Sequence, residues 1–256
     1  MKIFSGWLFI ILMLLFLSGC IGKGGAKKEF RTINDTVSVP DTGYTGIKQY
    51  MSGQNLIKEV TFKNGVREGL MKSVYQTCQV RQTFWYRNGL REDSAKWYYI
   101  EGQVFRCTPY VHDTVNGIQK QYYRNGRIKA KIGYLKGLRT PYFEEFTQEG
   151  KLVGGYPQLI VNIRDDYNSK GIYRILLELS DKSARVKYYR SEFSDGVFDT
   201  AHSKQVAMIK GSCNIDLKKT GSPKKGYLEV IAEVVTNFGN NFLIFKKIVL
   251  PYNDLD

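Results

Sequence analysis

Histidine is scarce: His112 and His202 are the only two in 256 residues, and no CxxC pair accompanies the four cysteines. Zinc centres need imidazole and thiolate ligands clustered at short spacing, so no metal site is expected. A Gly-rich phosphate loop, HExxH and an EF-hand loop are all missing. Neither histidine has a serine or cysteine in an elbow motif near it, which leaves a triad without its nucleophile. The acidic pairs Glu144-Glu145 and Asp165-Asp166 are chain neighbours. On a strand such neighbours point to opposite faces and cannot work as paired acid and base. No catalytic residue and no cofactor is expected, and the chain reads as non-enzymatic.

Long apolar runs are also scarce. Trp7–Leu17 is the main one, about 11 residues where a membrane-spanning helix needs roughly 20. It follows a basic start at Lys2 and ends in "LSGC", Leu17, Ser18, Gly19 and Cys20. A short apolar run closed by small residues is a secretory signal. The "LSGC" stretch resembles the bacterial lipobox. That resemblance implies cleavage before Cys20 and a diacylglyceryl thioether on its sulfur. Residues 1–19 are then a lipoprotein signal peptide. Several fatty acyl chains, palmitate among them, would anchor the protein stably, since each buried methylene adds about 0.8 kcal/mol. The expected address is the bacterial cell envelope, on the outer membrane where the cell has one.

Acidic residues are few, 24 against 38 Lys and Arg, for a formal charge of +14. Such a surface attracts anionic lipid headgroups, acidic glycans or an acidic protein. Nucleic acid is not an expected partner outside the cytoplasm. Cys78, Cys107 and Cys213 leave an odd number beside Cys20, so at least one thiol stays unpaired within the monomer. Cys78 lies at a turn and Cys107 some five residues past the next one, an offset of roughly 15 Å along a strand that disfavours their pairing.

What the chain does hold is tyrosine, 18 of them, and glycine, 25. Aromatic enrichment favours strands. Residues 20–45 are Gly-, Lys- and polar-rich and read as a flexible tether. From about residue 46 a 24-residue period sets in. Gly65, Gly89, Asp113 and Gly137 form one set of turn positions; Cys78, Gly102, Gly126 and Gly150 form a second. The sets interleave at 13 and 11 residues, so each repeat is a pair of strands. Tyr86–Gly89 and Tyr123–Gly126, both YRNG, mark alternate turns. Other columns run Phe62, Tyr86, Tyr110, Tyr134; Tyr50, Tyr75, Tyr99, Tyr123; and Val80, Val104, Ile128, Leu152. Asn64-Gly65, Asn88-Gly89 and Asn125-Gly126 predict type I′ hairpins. Ile128, Ala130, Ile132 and Tyr134 alternate with Arg127, Lys129 and Lys131, as in a half-buried antiparallel strand with an apolar and a basic face.

The segment "GIQKQYYRNGRIKAKIGYLKGLRT" (Gly117–Thr140) resembles the bacterial MORN-repeat variant, with units of the form G-x4-Y-x2-G-x7-Y-x2-G. Four full units and a partial fifth, Pro141–Gly154, carry the resemblance. The third unit departs, with "VHDT" where the others have a turn glycine, so a longer or distorted hairpin is expected there. Family members serve as binding or structural modules without catalytic residues, and some are described as antitoxin components.

The fold class expected is therefore all-β: an antiparallel β-meander over residues 46–155, then a β-sandwich-like domain over 156–256. The latter is expected from seven strand-like runs, Gln158–Arg164, Ile172–Leu179, Arg185–Arg190, Gln205–Lys210, Cys213–Lys218, Tyr227–Thr236 and Asn241–Leu250. Two basic columns, Arg67, Arg91 and Arg139, and Lys72, Lys96 and Lys120, are the candidate binding residues. Like charges stacked across a sheet repel unless something neutralises them. The expected function is a lipid-anchored envelope scaffold for binding or structure. The alternative is an inhibitor or antitoxin-like protein that meets an acidic partner through the basic face.

Overall fold

The computed structural model describes residues 43–256. Leu17, Ser18, Gly19 and Cys20, and with them the signal and almost all of the tether, lie outside the described residues. The first ten strands are β1 Gly46–Ser52, β2 Asn55–Lys63, β3 Val66–Val74, β4 Val80–Arg87, β5 Leu90–Tyr98, β6 Val104–Val111, β7 Thr114–Val115, β8 Gly117–Tyr122, β9 Ile128–Leu135 and β10 Leu138–Glu145. They pair antiparallel in chain order as one sheet, with the short β7 joined to β6 alone. This is the meander that the period predicted.

All four turns of the first set place both loop residues at positive φ. Asn64-Gly65 has 51° and 79°, Asn88-Gly89 51° and 83°, His112-Asp113 47° and 64°, Lys136-Gly137 50° and 84°. That pair of signs defines the type I′ turn. The third hairpin is therefore neither longer nor distorted at "VHDT", contrary to the sequence expectation. Register holds the turn in place: Val111 pairs Thr114 across it, as Arg87 pairs Leu90 in the unit before. The irregularity falls later, where β7 stops and β8 restarts at Gly117 with φ 110°.

The second set makes a different turn. The N–H of Cys78, Gly102, Gly126 and Gly150 donates to the carbonyl three residues back, at Tyr75, Tyr99, Tyr123 and Thr147. Only the last residue of each takes positive φ, and Asn125 stays out of the left-handed region. Asn125-Gly126 is thus not the type I′ turn that its dipeptide suggested. It is a four-residue turn closed by a left-handed residue, and the Asn125 side chain accepts from Arg127 N–H instead. Lysine has no side-chain hydrogen bond with which to favour the left-handed region, whereas asparagine does. Lys136→Asn is expected to stabilise the protein by about 0.5 kcal/mol, read as a rise in melting temperature of about 1–2 °C.

Neighbouring repeats are stitched by identical bonds. Tyr75, Tyr99 and Tyr123 hydroxyls donate to the carbonyls of Tyr98, Tyr122 and Phe146, at 2.6, 3.0 and 2.7 Å. At the opposite edge, Gly89, Asp113 and Gly137 N–H donate to Arg67, Arg91 and Val115 carbonyls. Such bonds contribute about 1 kcal/mol each, repeated along the stack.

Seven further strands follow: β11 Leu159–Asp166, β12 Ile172–Leu179, β13 Val186–Arg190, β14 Lys204–Val206, β15 Cys213–Lys218, β16 Tyr227–Val235 and β17 Asn241–Val249. They form sheets β11-β12-β15 and β14-β13-β16-β17. Alternation explains them: Tyr173, Ile175, Leu177 and Leu179 of β12 point inward onto Val186, Tyr188, Val230, Ala232 and Ile248 of the other sheet. The seven expected strands are all present as a sandwich, with the fourth cut to three residues. A four-residue helix, α1 Tyr167–Lys170, and a 3-10 turn, Thr200–His202, were not foreseen.

The sandwich meets the repeat sheet around Glu145, which is fully buried. Its Oε1 accepts from Thr236 Oγ1 and Asn240 Nδ2, both at 2.7 Å, and its Oε2 from Tyr156 at 3.1 Å. Burial and the nearby carboxylate push the Tyr156 phenol up. Beside the carboxylate Tyr156 stacks on Phe242, and Phe143 packs against both, edge-on to Tyr156 and tilted to Phe242. Among the described residues no helix is long and apolar enough to cross a membrane.

Candidate functional site

Register decides which side chains share a face of the sheet. Glu59 pairs Lys72, which pairs Thr83, then Lys96 and Cys107. Cys107 pairs Lys120, then come Lys131 and Glu144. One row of directly opposed residues therefore crosses the sheet. The Arg column is elsewhere: Arg67 pairs Phe62, Arg91 pairs Tyr86 and Arg139 pairs Tyr134. These aromatic positions alternate with the lysine row. The two basic columns thus lie on opposite faces, which corrects the expectation of a single basic face.

Each arginine is occupied by its own sheet. Arg67 lies over Tyr86 at 4.9 Å from the ring centre, and Arg91 over Tyr110 at 4.5 Å. Arg91 also binds Asp113 at 2.7 Å. Arg139 covers Tyr134 and donates to the Asn241 carbonyl at 2.9 Å, across the junction. Burial pushes its guanidinium down. Cation–π contacts of this kind contribute about 0.5–1 kcal/mol at exposed positions; those of Arg67 and Arg91 tie one hairpin to the next, and that of Arg139 stays within its own.

The lysine row is different. Lys72 is paired with Glu59 at 2.6 Å, and Lys131 with Glu144 at 2.8 Å. Lys96 and Lys120, between them, are exposed and have no ion pair or hydrogen bond among the described residues. They flank Cys107, a free thiol, as is Cys213, so Cys78 and Cys107 are not joined. Beside the row runs an apolar ridge that sequence reading missed. Leu70 and Trp85 pair directly and are each 45% exposed; beyond Glu92, which pairs Trp85 on β5, Ile118 and Tyr142 stand on the same side at 42% and 39%. The missing signal was register, since a bulge in each second strand shifts the phase of alternation.

Several carboxyls in the repeats carry shifted affinities, Asp113 and Glu59 among them. Burial opposes the shift, but Arg91's hydrogen bonds and charge hold Asp113 below its ordinary range, and Lys72 with Gln49 does the same for Glu59. A depressed acid contributes stability above its unfolded pKa, and that contribution is lost as pH falls through the folded value. Thermal melts between pH 6 and 2 are expected to show the midpoint falling from about pH 4 downward. In Arg91→Met the fall is shallower.

A concavity lies at one end of the sandwich, with a volume of about 520 Å³. Its floor is Leu217, Leu228, Leu250 and Leu255, and its rim includes Glu192, Glu229, Asp199 and His202. Burial, then a hydrogen bond shared with Glu192, raises the Glu229 carboxyl. His202 Nδ1 sits 2.6 Å from Asp199. Ser203 is committed to the Asp199 carbonyl and Ser191 to Ser203. No group of three metal-ligating side chains occurs among the described residues.

No protein-family model matches the chain, and no curated protein matches it. The resemblance to the MORN-repeat variant therefore rests on the motif columns alone.

Proposed function

We propose that this chain is a non-enzymatic, lipid-anchored protein of the bacterial cell envelope, whose repeat sheet is a binding scaffold presenting the lysine-row face to an acidic partner. The observation that carries the reading is the pair Lys96 and Lys120. Two exposed ammonium groups without counter-charges stand two strands apart, beside an exposed apolar ridge. Solvated lysines need no apolar neighbours, and an exposed apolar strip rimmed by charge is what a partner covers. The lipobox at Leu17–Cys20 supplies the address.

The test is capture from detergent-solubilised envelope by the intact protein and by Lys96→Glu/Lys120→Glu. A bound component lost with the double charge reversal supports the scaffold. Equal capture by both proteins overturns the lysine-row face as the contact. The inhibitor reading needs one stoichiometric acidic enzyme or toxin in the captured material. Cys20→Ala yielding a protein that is still processed and lipidated would sink the anchor.

A further inference from the structure

The lysine row and the apolar ridge meet at one hollow, of about 410 Å³, between β3, β4 and β5. Its walls include Thr83, Trp85, Asp93, Ser94, Lys96 and Tyr98. Resting on the reading of this face as the binding face, we propose that the hollow takes one acidic sugar unit of a linear anionic polysaccharide.

Trp85 is 45% exposed, an uncommon position for the largest apolar side chain. An indole face presents a negative quadrupole and a broad apolar plate. The C–H-bearing face of a pyranose ring suits both. Around that plate stand side chains with unused hydrogen-bonding capacity. Asp93, Ser94 and Lys96 have no side-chain hydrogen bond or ion pair among the described residues. A carboxylate and a hydroxyl accept from sugar hydroxyls, and an ammonium donates to a uronate or a sulfate ester. An aromatic plate with a few convergent polar groups is the composition of a small-ligand site.

Asp93 bears on the occupant through its hydrogen bonds: its carboxylate can accept from the hydroxyls of a polyhydroxylated ring, donors that the side chains of a polyacidic peptide do not offer. The backbone holds it there: Asp93 has φ 60° at the bulge of β5, a conformation with a strain cost. The chain would run across the strands. Lys120 is two strands beyond Lys96, roughly 10 Å at the ordinary strand spacing, with Ile118 on the same side beside it. A polymer bearing one anion per sugar or per disaccharide can therefore meet both lysines.

Calorimetric titration of the intact protein with oligogalacturonate of about eight units tests this. The comparison titrants are a neutral oligoglucoside of equal length, polyglutamate, and vesicles rich in phosphatidylglycerol. Saturable binding of oligogalacturonate is expected, at least tenfold tighter than the neutral oligomer. Trp85→Ala is expected to weaken it at least tenfold, and Lys96→Gln to weaken it and flatten its salt dependence. Trp85 is half exposed, so unchanged circular dichroism and melting temperature check that each variant folds. Equal binding of polyglutamate or vesicles, or unchanged affinity in Trp85→Ala, would mean generic charge attraction and overturn the sugar site. If oligogalacturonate fails while Lys96→Glu/Lys120→Glu still loses envelope capture, the sugar proposal falls alone. If capture too is indifferent to the double reversal, the scaffold reading falls with it.

Discussion

Replacing Glu145 with alanine is expected to lower the melting temperature by about 10 °C. The carboxylate is fully buried where the repeat sheet meets the sandwich. Thr236, Asn240 and Tyr156 all donate to it. Alanine removes the acceptor and leaves two buried donors, Thr236 and Asn240, and the half-buried Tyr156 hydroxyl without it. Each buried donor left unmet costs about 1–3 kcal/mol, part of it recovered by relaxation. A total of about 3–4 kcal/mol translates to roughly 10 °C for a chain of this size. Glu145→Gln separates the causes. The amide oxygen still accepts from Thr236 and Asn240, so a loss of less than half is expected. A Glu145→Ala protein melting within 1 °C of the parent would show that the carboxylate does not hold the junction.

The second large effect is expected at Gly211. Its φ is +85°, and an added Cβ would lie 2.7 Å from the Ser183 carbonyl oxygen and 2.9 Å from Ala184 Cα. Both are backbone atoms, which cannot rotate away. Gly211 also offers its carbonyl to the hydroxyl of Tyr188, the fully buried centre of the sandwich. Gly211→Ala therefore combines left-handed strain of about 1–2 kcal/mol with displacement of that hydrogen bond. A loss of about 3 kcal/mol or more is expected, again near 10 °C. Gly196→Ala is the control. It shares the left-handed backbone, with φ +76°, but has open space around it, so it should show the strain alone, about 3–5 °C. Equal effects at the two positions would remove the clash from the explanation.

The meander was legible because its signals are local. A turn residue every 24 positions and strict alternation between turns require no knowledge of distant contacts. The two turn types were not legible, because YRNG appears in both. In the first copy Arg87 and Leu90 pair across two residues. In the second the Tyr123 and Arg127 backbones close a four-residue loop. The same tetrapeptide obeys whichever cross-strand pairing its flanks allow. The bulge column, Gly69, Asp93 and Gly117 with φ 89°, 60° and 110°, also steps by 24 and went unread. It shifts the register within each hairpin, and register gathers Lys96, Ser94 and Trp85 into one hollow. The arginine column was legible as a column, but its role was not. Cation–π ties depend on which ring lies on the neighbouring strand, and that is fixed only once pairing is known. Glu145 gave no signal, since its donors are Tyr156 and two residues more than 90 positions away.

Among the described residues, the repeat sheet is fastened to the sandwich at one end. Gln121, Arg139, Phe143 and Glu145, all in its last three strands, grip residues 240–242 and Thr236, and among the described residues no such bond or ring contact runs from the earlier hairpins to the sandwich. Order in such a stack behaves like a zip fixed at its base: every tooth depends on the one beneath it, and loosening starts at the end far from the sandwich. Amide exchange should therefore speed up in steps of one hairpin from β10 toward β1. A ligand clasped across Lys96 and Lys120 would act as a clip partway along, slowing every tooth below it while those above stay quick.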